Sequence, residues 1–260
     1  MLSNRSSIEN LRASNRRKLA QRALERQLAY QKRKARELSG HEDEVVHAME
    51  RTARRVRYLL ESFQPIDVGA RVIEVGSGAH GLIFRFGAHH SVGIDPLAVS
   101  YAKLFPYWQT KVPTVAAVGE HLPFLDHSFG VVLCDNVVDH AESPSTIVAE
   151  LVRVLAPGGL LYFTVNVHHG LYSVAAEVHS SWRAISVPVE IGPFADHTTH
   201  LTVSAAKRLF ENQPIQILSE KCNIAEARAR ARKSPARHLG DSLKRVFFKN
   251  ALYELIARRV

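Results

Sequence analysis

The chain has 260 residues, of which 46% are hydrophobic, and its 34 basic and 25 acidic side chains give a formal net charge of +9. This length suits one α/β domain with extensions, and the composition excludes a disordered or collagen-like chain. No apolar run approaches the roughly 18 residues of a membrane span, and the first residues do not form the apolar stretch of a secretory signal. Because two cysteines, Cys134 and Cys222, are too few for a disulfide framework or a cysteine-rich zinc site, we expect a reducing, cytoplasmic setting.

Residues 1–64 are predicted to form a basic helical extension. Residues 1–60 hold 15 Lys and Arg against 7 Asp and Glu. A polar, helix-favouring stretch covers residues 7–38, and Gly40 is expected to stop it. A second helix is predicted from Glu42 to Phe63, because apolar residues recur there near helical spacing and the acidic first turn suits the helix dipole.

Residues 65–223 alternate short apolar runs with helical stretches, which predicts a Rossmann-like α/β fold with a doubly wound, mostly parallel sheet. The predicted strands are RVIEV (71–75), SVGI (91–94), TVAAV (114–118), GVVLC (130–134), LLYFTVNV (160–167) and IQILSE after Pro214. Helices are expected at Ala98–Leu104 and Ser145–Leu155. Residues 61–220 hold 8 basic against 15 acidic side chains, so the positive charge belongs to the ends of the chain.

Residues 224–260 are predicted to form a basic C-terminal tail. Residues 221–260 hold 11 Lys and Arg against 3 Asp and Glu. The run ARARARK fits either a strand with its arginines on one face or a helix. The segment LKRVFFKNALYELIARR combines apolar residues with five basic ones, which predicts an amphipathic basic helix.

The basic ends leave several partners open. Solvated helical faces are the plainest interpretation. The C-terminal helix could make peripheral contact with an anionic membrane, or pack its apolar face on the N-terminal helices. Nucleic-acid binding is weakly supported, because Tyr30 is the one aromatic residue available for stacking in the N-terminal basic run.

A glycine motif, EVGSGAHG at Glu74–Gly81, directly follows the first predicted strand. Gly76, Gly78 and Gly81 match G-x-G-x-x-G, in which glycines allow a tight turn and a close approach of a cofactor to the backbone. Asp95 ends the next strand, where a carboxylate can accept hydrogen bonds from ribose hydroxyls. These features predict a nucleotide-type cofactor, and taken alone they fit NAD almost as well as other nucleotides.

The segment GEHLPFLDHSFGVVLCDNVVDHAESPSTIVAELVRVLAPGGLLYFTV (119–165) resembles the class I S-adenosylmethionine-dependent methyltransferases. In that family an E-x-G-x-G block ends the first strand, an acidic residue ends the second, and a helix ending in RVLxPGG introduces the fifth. The resemblance covers about residues 66–210 and implies that the cofactor is S-adenosyl-L-methionine. An NAD-dependent short-chain dehydrogenase would need Y-x-x-x-K after the fourth strand, whereas the match at Tyr30–Lys34 precedes the glycine motif.

The resemblance also implies which residues bind the cofactor. They are Glu74, Gly76, Ser77, Gly78, Asp95, Pro96, Gly119, Glu120 and Asn136. Glu74, Gly76, Ser77 and Gly78 would line the methionine end of the cofactor. Asp95 would bind the ribose, and Pro96 would lie against the adenine. Gly119 and Glu120 would pass the adenine edge, and Asn136 would lie next to the sulfonium. Two departures from the family pattern are Val118, where an aspartate often holds the adenine amino group, and Gly130, where the family has the aspartate of SFD.

Candidate bases are sought in loops at the carboxyl ends of the strands, because a hydroxyl acceptor usually needs proton removal. They are His140, which is preferred, and behind it His168, His169, His197 and His200. Asp139 and Asp196, with three of these histidines, could instead bind a metal, but no H-E-x-x-H helix or tight carboxylate pair is present, so no metal site is predicted. The aromatic residues Tyr172, Trp182 and Phe194 would line the acceptor pocket or pack a lid on the domain.

The sequence therefore predicts an S-adenosylmethionine-dependent methyltransferase. The expected reaction is O-methylation of a small-molecule or glycan-precursor hydroxyl, an expectation that rests on analogy with glycan and natural-product pathways. An RNA-directed methyltransferase, or a nucleic-acid-binding relative that uses the basic ends, is the alternative. RNA methylation of base amines often shows N/D-P-P-Y/F after the fourth strand, and CDNVVDH is not that motif.

Overall fold

The helices and strands come from a computed structural model, which describes residues 21–170, 201–233, 248 and 250–260. Helix α1 covers residues 21–37 of the described chain. The other helices are α2 (Glu42–Glu61), α3 (Ala98–Leu104), α4 (Pro106–Gln109), α5 (Pro144–Val154), α6 (Val203–Arg208) and α7 (Ile224–Lys233). The strands are β1 (Arg71–Val75), β2 (His90–Ile94), β3 (Thr114–Val115), β4 (Phe129–Asp135), β5 (Leu155–Val167), β6 (Ile215–Cys222) and β7 (Ala251–Arg259).

Seven strands form one twisted sheet in the order β3-β2-β1-β4-β5-β7-β6. The first five strands pair in parallel, whereas β7 is antiparallel to both of its neighbours. The predicted doubly wound, mostly parallel sheet is thus confirmed. The chain reverses its direction across the sheet at β1, so the carboxyl ends of β1, β2 and β4 meet at the place where such sheets bind ligands.

The predicted C-terminal amphipathic helix is wrong for residues 251–259, which form β7 between β5 and β6. Leu255 and Ile256 are buried on opposite faces of the sheet, so their spacing reflects a strand that is covered on both sides. A short apolar run of this kind cannot be told from a helix by its periodicity. Because these apolar side chains lie in the core, they form no face for a membrane. The sheet also extends beyond residue 223, where the tail was predicted to begin.

The structure also tests three other predicted features: the ARARARK run, the third strand and the end of the first helix. The ARARARK run is part of helix α7, and the Arg228 guanidinium lies over the Phe248 ring at 5.8 Å. Strand β3 spans two residues, so it is shorter than the predicted TVAAV. Gly40 follows α1 with a φ of 86°, as expected of a residue that stops a helix.

Apolar layers cover both faces of the sheet. On one face α2 packs Ala53, Val56 and Leu60 against the strands. On the other face α5 packs Ile147, and Phe210 meets Phe163 edge to face at 4.9 Å. Of the helices within the described ranges, none has the length and apolar character that a membrane crossing requires.

Candidate functional site

The loop that follows β1 is shaped by its glycines. Gly76 and Gly78 have φ values of 74° and 54°, which L side chains rarely adopt. The N–H groups of Gly76 and Ser77 both donate to the carbonyl oxygen of Ile94, at 2.7 and 3.0 Å. A Cβ on Gly76 would overlap the methyl groups of Val137, so the loop lies directly against the segment that follows β4.

Glu74 holds this loop from inside the protein. Its Oε1 accepts a hydrogen bond from the Leu82 N–H at 3.1 Å, and its Oε2 accepts one from the Ile83 N–H at 2.8 Å. Complete burial raises the pKa of Glu74 to about 8, and the charges of Asp135 and Asp95 act in the same direction. Both carboxyl oxygens thus already serve the loop, which makes Glu74 a scaffold for the predicted methionine end.

Asp95 connects the end of β2 to the glycine loop. Its Oδ2 accepts a hydrogen bond from the Gly78 N–H at 3.0 Å, and its Oδ1 accepts one from the Leu97 N–H at 2.8 Å. Burial raises the pKa of Asp95. Pro96 follows and is exposed, in a position where a ring could rest on it. The predicted ribose-binding carboxylate and the predicted loop therefore lie together.

Three buried polar atoms in or beside the glycine loop have no hydrogen-bond partner among the described residues. They are Ser77 Oγ, His80 Nε2 and Gln109 Oε1. The Gln109 amide nitrogen donates to the carbonyl oxygens of Gly78 and Ala79, at 3.0 and 2.9 Å, so its acceptor oxygen is fixed beside the loop. S-adenosylmethionine carries an ammonium group, hydroxyls and an amine, all of which donate hydrogen bonds. The residues present thus fit this cofactor.

His80, inside the glycine motif, is a further candidate residue that the sequence pattern does not single out. Its ring centroid lies 4.9 Å from that of Phe105 and 5.3 Å from that of Trp108. Burial, together with a smaller contribution from the positive charge of Lys34 on α1, lowers the pKa of His80 to about 4. His80 is therefore neutral near pH 7, and α1 brings a cation towards the glycine loop. The G-x-G-x-x-G pattern drew attention to its glycines alone.

The loop expected at the adenine edge is held to the start of α5. Glu120 Oε1 accepts hydrogen bonds from the N–H groups of Glu142 and Ser143, at 3.0 and 3.4 Å. A Cβ on Gly119 would press on Ile147 and Val75, at 3.0 and 3.1 Å, so the backbone packs closely there. Glu120 thus joins two loops at the carboxyl edge of the sheet.

Asn136, which follows β4, has its side chain committed to β5. The residue has a φ of 58°, its N–H donates to the Thr164 carbonyl at 3.1 Å, and its Oδ1 accepts from the Asn166 N–H at 3.1 Å. The next residue in the chain, Val137, packs on Gly76 of the glycine loop. Its predicted place near the reactive end of the cofactor stays a prediction.

The predicted bases have different placements. His140 ends the 3-10 turn Val138–His140, and its side chain lies outside what the structure describes. His168 is 1% exposed, and its Nδ1 accepts a hydrogen bond from the Asn250 N–H at 3.4 Å. His169 donates its N–H to the Phe248 carbonyl at 3.1 Å. His168 and His169 thus join the end of β5 to the segment before β7.

The remaining predicted residues of the acceptor region lie outside the described residues. They are Tyr172, Trp182, Phe194, Asp196, His197 and His200. Across the described ranges, no three His, Cys, Asp or Glu side chains group closely enough to hold a metal ion.

A second group that the sequence reasoning missed is a row of polar residues across the centre of the sheet. Asp135 of β4 pairs with Thr164 of β5, which pairs with Glu254 of β7. The Thr164 hydroxyl donates to Asp135 Oδ1 at 2.5 Å. Because the three residues come from distant parts of the chain, no local pattern signals the row.

Comparison with known proteins identifies one family model. Residues 73–163 match the model described as a methyltransferase domain. A malonyl-[acyl-carrier protein] O-methyltransferase of Halorhodospira halophila is 29% identical over 161 residues, which are 59% of this chain and 52% of that protein. An uncharacterized methyltransferase of Mycobacterium avium is 33% identical over 137 residues, 52% of this chain and 46% of that protein. The chain thus spans about half the length of the curated relatives it matches.

Solved structures share the fold at low identity. Geranyl diphosphate C-methyltransferase of Streptomyces coelicolor A3(2) superposes with a TM-score of 0.57 and 13% identity, covering 84% of each chain. The [4+2]-cyclase SpnF superposes with a TM-score of 0.50 and 17% identity, covering 79% of this chain and 80% of that one. These likenesses show the fold, and the cyclase illustrates that the fold by itself does not fix the reaction.

Proposed function

Because the chain carries a methyltransferase domain of the class I S-adenosylmethionine-dependent family, we propose that it methylates a hydroxyl oxygen of a small-molecule or glycan-precursor acceptor. The observation that supports cofactor binding most directly is the clamp between Asp95 and Gly78, which joins the predicted ribose site to the glycine loop. The O-methyltransferase among the relatives supports oxygen as the methylated atom.

The cofactor would be held along the carboxyl edge of β1, β2 and β4. The glycine loop would pass its methionine end, Asp95 its ribose, Pro96 its adenine face, and Gly119 with Glu120 the adenine edge. When bound, the cofactor supplies a methyl group that is activated by the positive sulfonium. The residues of the chain then have to align the acceptor, exclude water and remove a proton.

Calorimetric titration of the full chain with S-adenosylmethionine, and separately with NAD, tests the cofactor. We expect saturable binding of S-adenosylmethionine and no heat from NAD. Binding of NAD without binding of S-adenosylmethionine would contradict the proposal.

The acceptor class is tested by mass spectrometry. The chain is incubated with S-adenosylmethionine and a panel of hydroxyl, amine and thiol compounds that includes sugar phosphates. We expect the gain of one methyl group in a hydroxyl compound and none in its methoxy counterpart. Methylation confined to amines or thiols would overturn the assignment to oxygen and leave the cofactor assignment intact.

A further inference from the structure

The polar row in the sheet lies on the face that α2 covers. Asp135, Thr164 and Glu254 are register partners on three adjacent strands, and partners in register share a face. Thr164 is 0% exposed, and its neighbours along the strand, Phe163 and Val165, are apolar and buried. A buried hydroxyl in such a place needs a partner, and Asp135 provides it.

The row is stabilised by a hydrogen-bond network that reaches the surface at α2. The Tyr162 hydroxyl donates to Glu254 Oε2 at 3.1 Å. The Arg55 guanidinium donates to the Tyr162 hydroxyl at 3.0 Å and to Glu254 Oε2 at 3.3 Å. Glu254 is thus paired with a cation, while Asp135 receives one hydrogen bond, from Thr164. Asp135 Oδ2 accepts no hydrogen bond from any residue that the structure describes.

Asp135 is also next to the predicted cofactor site. It is the last residue of β4, at the carboxyl edge where open α/β sheets bind ligands. Val137, two residues further on, packs against Gly76 of the glycine loop. A carboxylate here is half-buried, held in one orientation by Thr164, and open at its second oxygen.

We infer that Asp135 accepts the proton of the acceptor hydroxyl and that Thr164 is the residue that positions it. This inference rests on the proposed function. The O–H bond of the acceptor breaks and its proton moves to Asp135 Oδ2. The electron pair left on the oxygen forms the new O–C bond, and the pair of the broken C–S bond stays on sulfur. The histidines predicted as bases are not needed for this step.

The surroundings of Asp135 raise its pKa on balance, although they contain groups that act in both directions. On the face of the sheet that Asp135 shares with α2, the charged and titratable groups that interact with it are Glu74 of β1, Tyr162 of β5, Glu254 of β7 and Arg55 of α2. Cys134 precedes it on β4 and belongs to the opposite face. Burial raises the pKa of Asp135, Glu254 raises it further, and the Thr164 hydrogen bond and Arg55 oppose the rise. A carboxylate with a raised pKa is a stronger base than a solvated one.

Two phenols test the proton transfer without knowledge of the natural acceptor. Phenol and p-nitrophenol are compared at a pH at which p-nitrophenol is already ionised and phenol is not. Asp135→Asn should lower turnover of phenol by about 10² to 10⁴ and turnover of p-nitrophenol by less than about tenfold, because only phenol needs a base. Asp67→Asn, an exposed aspartate ahead of β1, is the control and should leave both rates unchanged. Calorimetry should show that Asp135→Asn still binds S-adenosylmethionine.

A second measurement does not depend on turnover. In protein with ¹³C-labelled aspartate carboxyls, the signal that disappears in Asp135→Asn identifies Asp135. This signal should titrate above the ordinary aspartate range, move when phenol is added to protein saturated with S-adenosylhomocysteine, and move again in Thr164→Val. Equal losses on both phenols, or an Asp135 signal that titrates normally and ignores phenol, would overturn the inference. Failure of the wild-type chain to bind S-adenosylmethionine would instead overturn the proposed function.

Discussion

Asp95 accepts a hydrogen bond from the Gly78 N–H at 3.0 Å, so the carboxylate that is expected to bind the ribose also holds the glycine loop. Its other oxygen accepts from the Leu97 N–H at 2.8 Å, at the start of α3. The geometry of the loop and the recognition of the ribose therefore depend on one side chain. Such a site is preorganised, because its donors and acceptors are oriented before a ligand arrives.

Replacement of Asp95 by alanine should weaken S-adenosylmethionine binding. The change removes the acceptor of two backbone N–H groups, and each hydrogen bond to a charged group contributes about 1.5–3 kcal/mol. We expect an affinity loss of at least about tenfold by calorimetry. Asp67→Ala is a matched control, because Asp67 also accepts a backbone hydrogen bond, from Gly69 at 2.6 Å, but lies ahead of β1. Equal affinities for the two variants would contradict the assignment of Asp95.

Gly76→Ala should destabilise the protein more than Gly158→Ala. Both glycines have nearly the same φ, 74° and 75°, so both substitutions impose similar backbone strain. A Cβ on Gly158 meets nothing within 4 Å, whereas one on Gly76 overlaps Val137. Urea unfolding of each variant gives the difference. Adding Val137→Ala to Gly76→Ala should recover part of the stability, and a double variant no more stable than Gly76→Ala would show that the overlap is not the cause.

Glu74→Gln should change how stability depends on pH. Burial raises the folded-state pKa of Glu74 to about 8 from its ordinary value of 4.5, so between these values the folded chain retains a proton that the unfolded chain loses. The stability that Glu74 contributes is thus fully present below the lower value and is lost as the pH rises through the upper one. Unfolding free energies of wild type minus Glu74→Gln should fall across this interval, by at most about 1.4 kcal/mol per pH unit. A difference that stays constant with pH would argue against the buried protonated carboxyl.

Arg259→Ala should destabilise the sheet through α5. The Arg259 Nη1, with two hydrogens to donate, lies within hydrogen-bond distance of the carbonyl oxygens of Val152 and Arg153 in the last turn of α5 and of Leu155, which follows the helix. The last carbonyls of a helix have no helical partners. A cation at a helix C-terminus is favourable as well. We expect a loss of about 2–3 kcal/mol in urea unfolding. Arg258→Ala is the control, because Arg258 donates to one carbonyl, that of Phe63 at 3.3 Å. If Arg258→Ala lowers the free energy of unfolding as much as Arg259→Ala does, the contact with the end of α5 is not the reason for the loss.

Local sequence patterns were sufficient to predict the positions of many helices and strands. Strands β1, β2, β4 and β6 and the helices α2, α3 and α5 lie within a few residues of their predicted positions, because each is a single apolar run or stripe bounded by a turn. Strand β7 could not be predicted in this way. Its spacing of apolar residues suits a helix as well as a strand covered on both faces, and only pairing with β5 and β6 decides between them.

The part of the candidate site that could be predicted is the part whose residues directly follow consecutive strands of the chain. The glycine loop and Asp95 were expected together and are joined by a hydrogen bond. The row of Asp135, Thr164 and Glu254 was not, because it exists only through the register of three strands. A histidine is a recognisable candidate base in a sequence because its ordinary pKa suits the task, whereas the raised pKa of Asp135 depends on burial, which the sequence does not display.

The position of β7 in the sheet also sets an order of assembly. Within the sheet, β6 joins the other strands only through β7, although β6 comes earlier in the chain. Until residues 251–259 arrive, β5 has an open edge that another chain could pair with, and β6 has no strand to pair with. Completion of the sheet therefore requires contacts between segments far apart in sequence, which is slow. A chaperone that shields β5 during synthesis would serve this protein most in the interval before β7 is made.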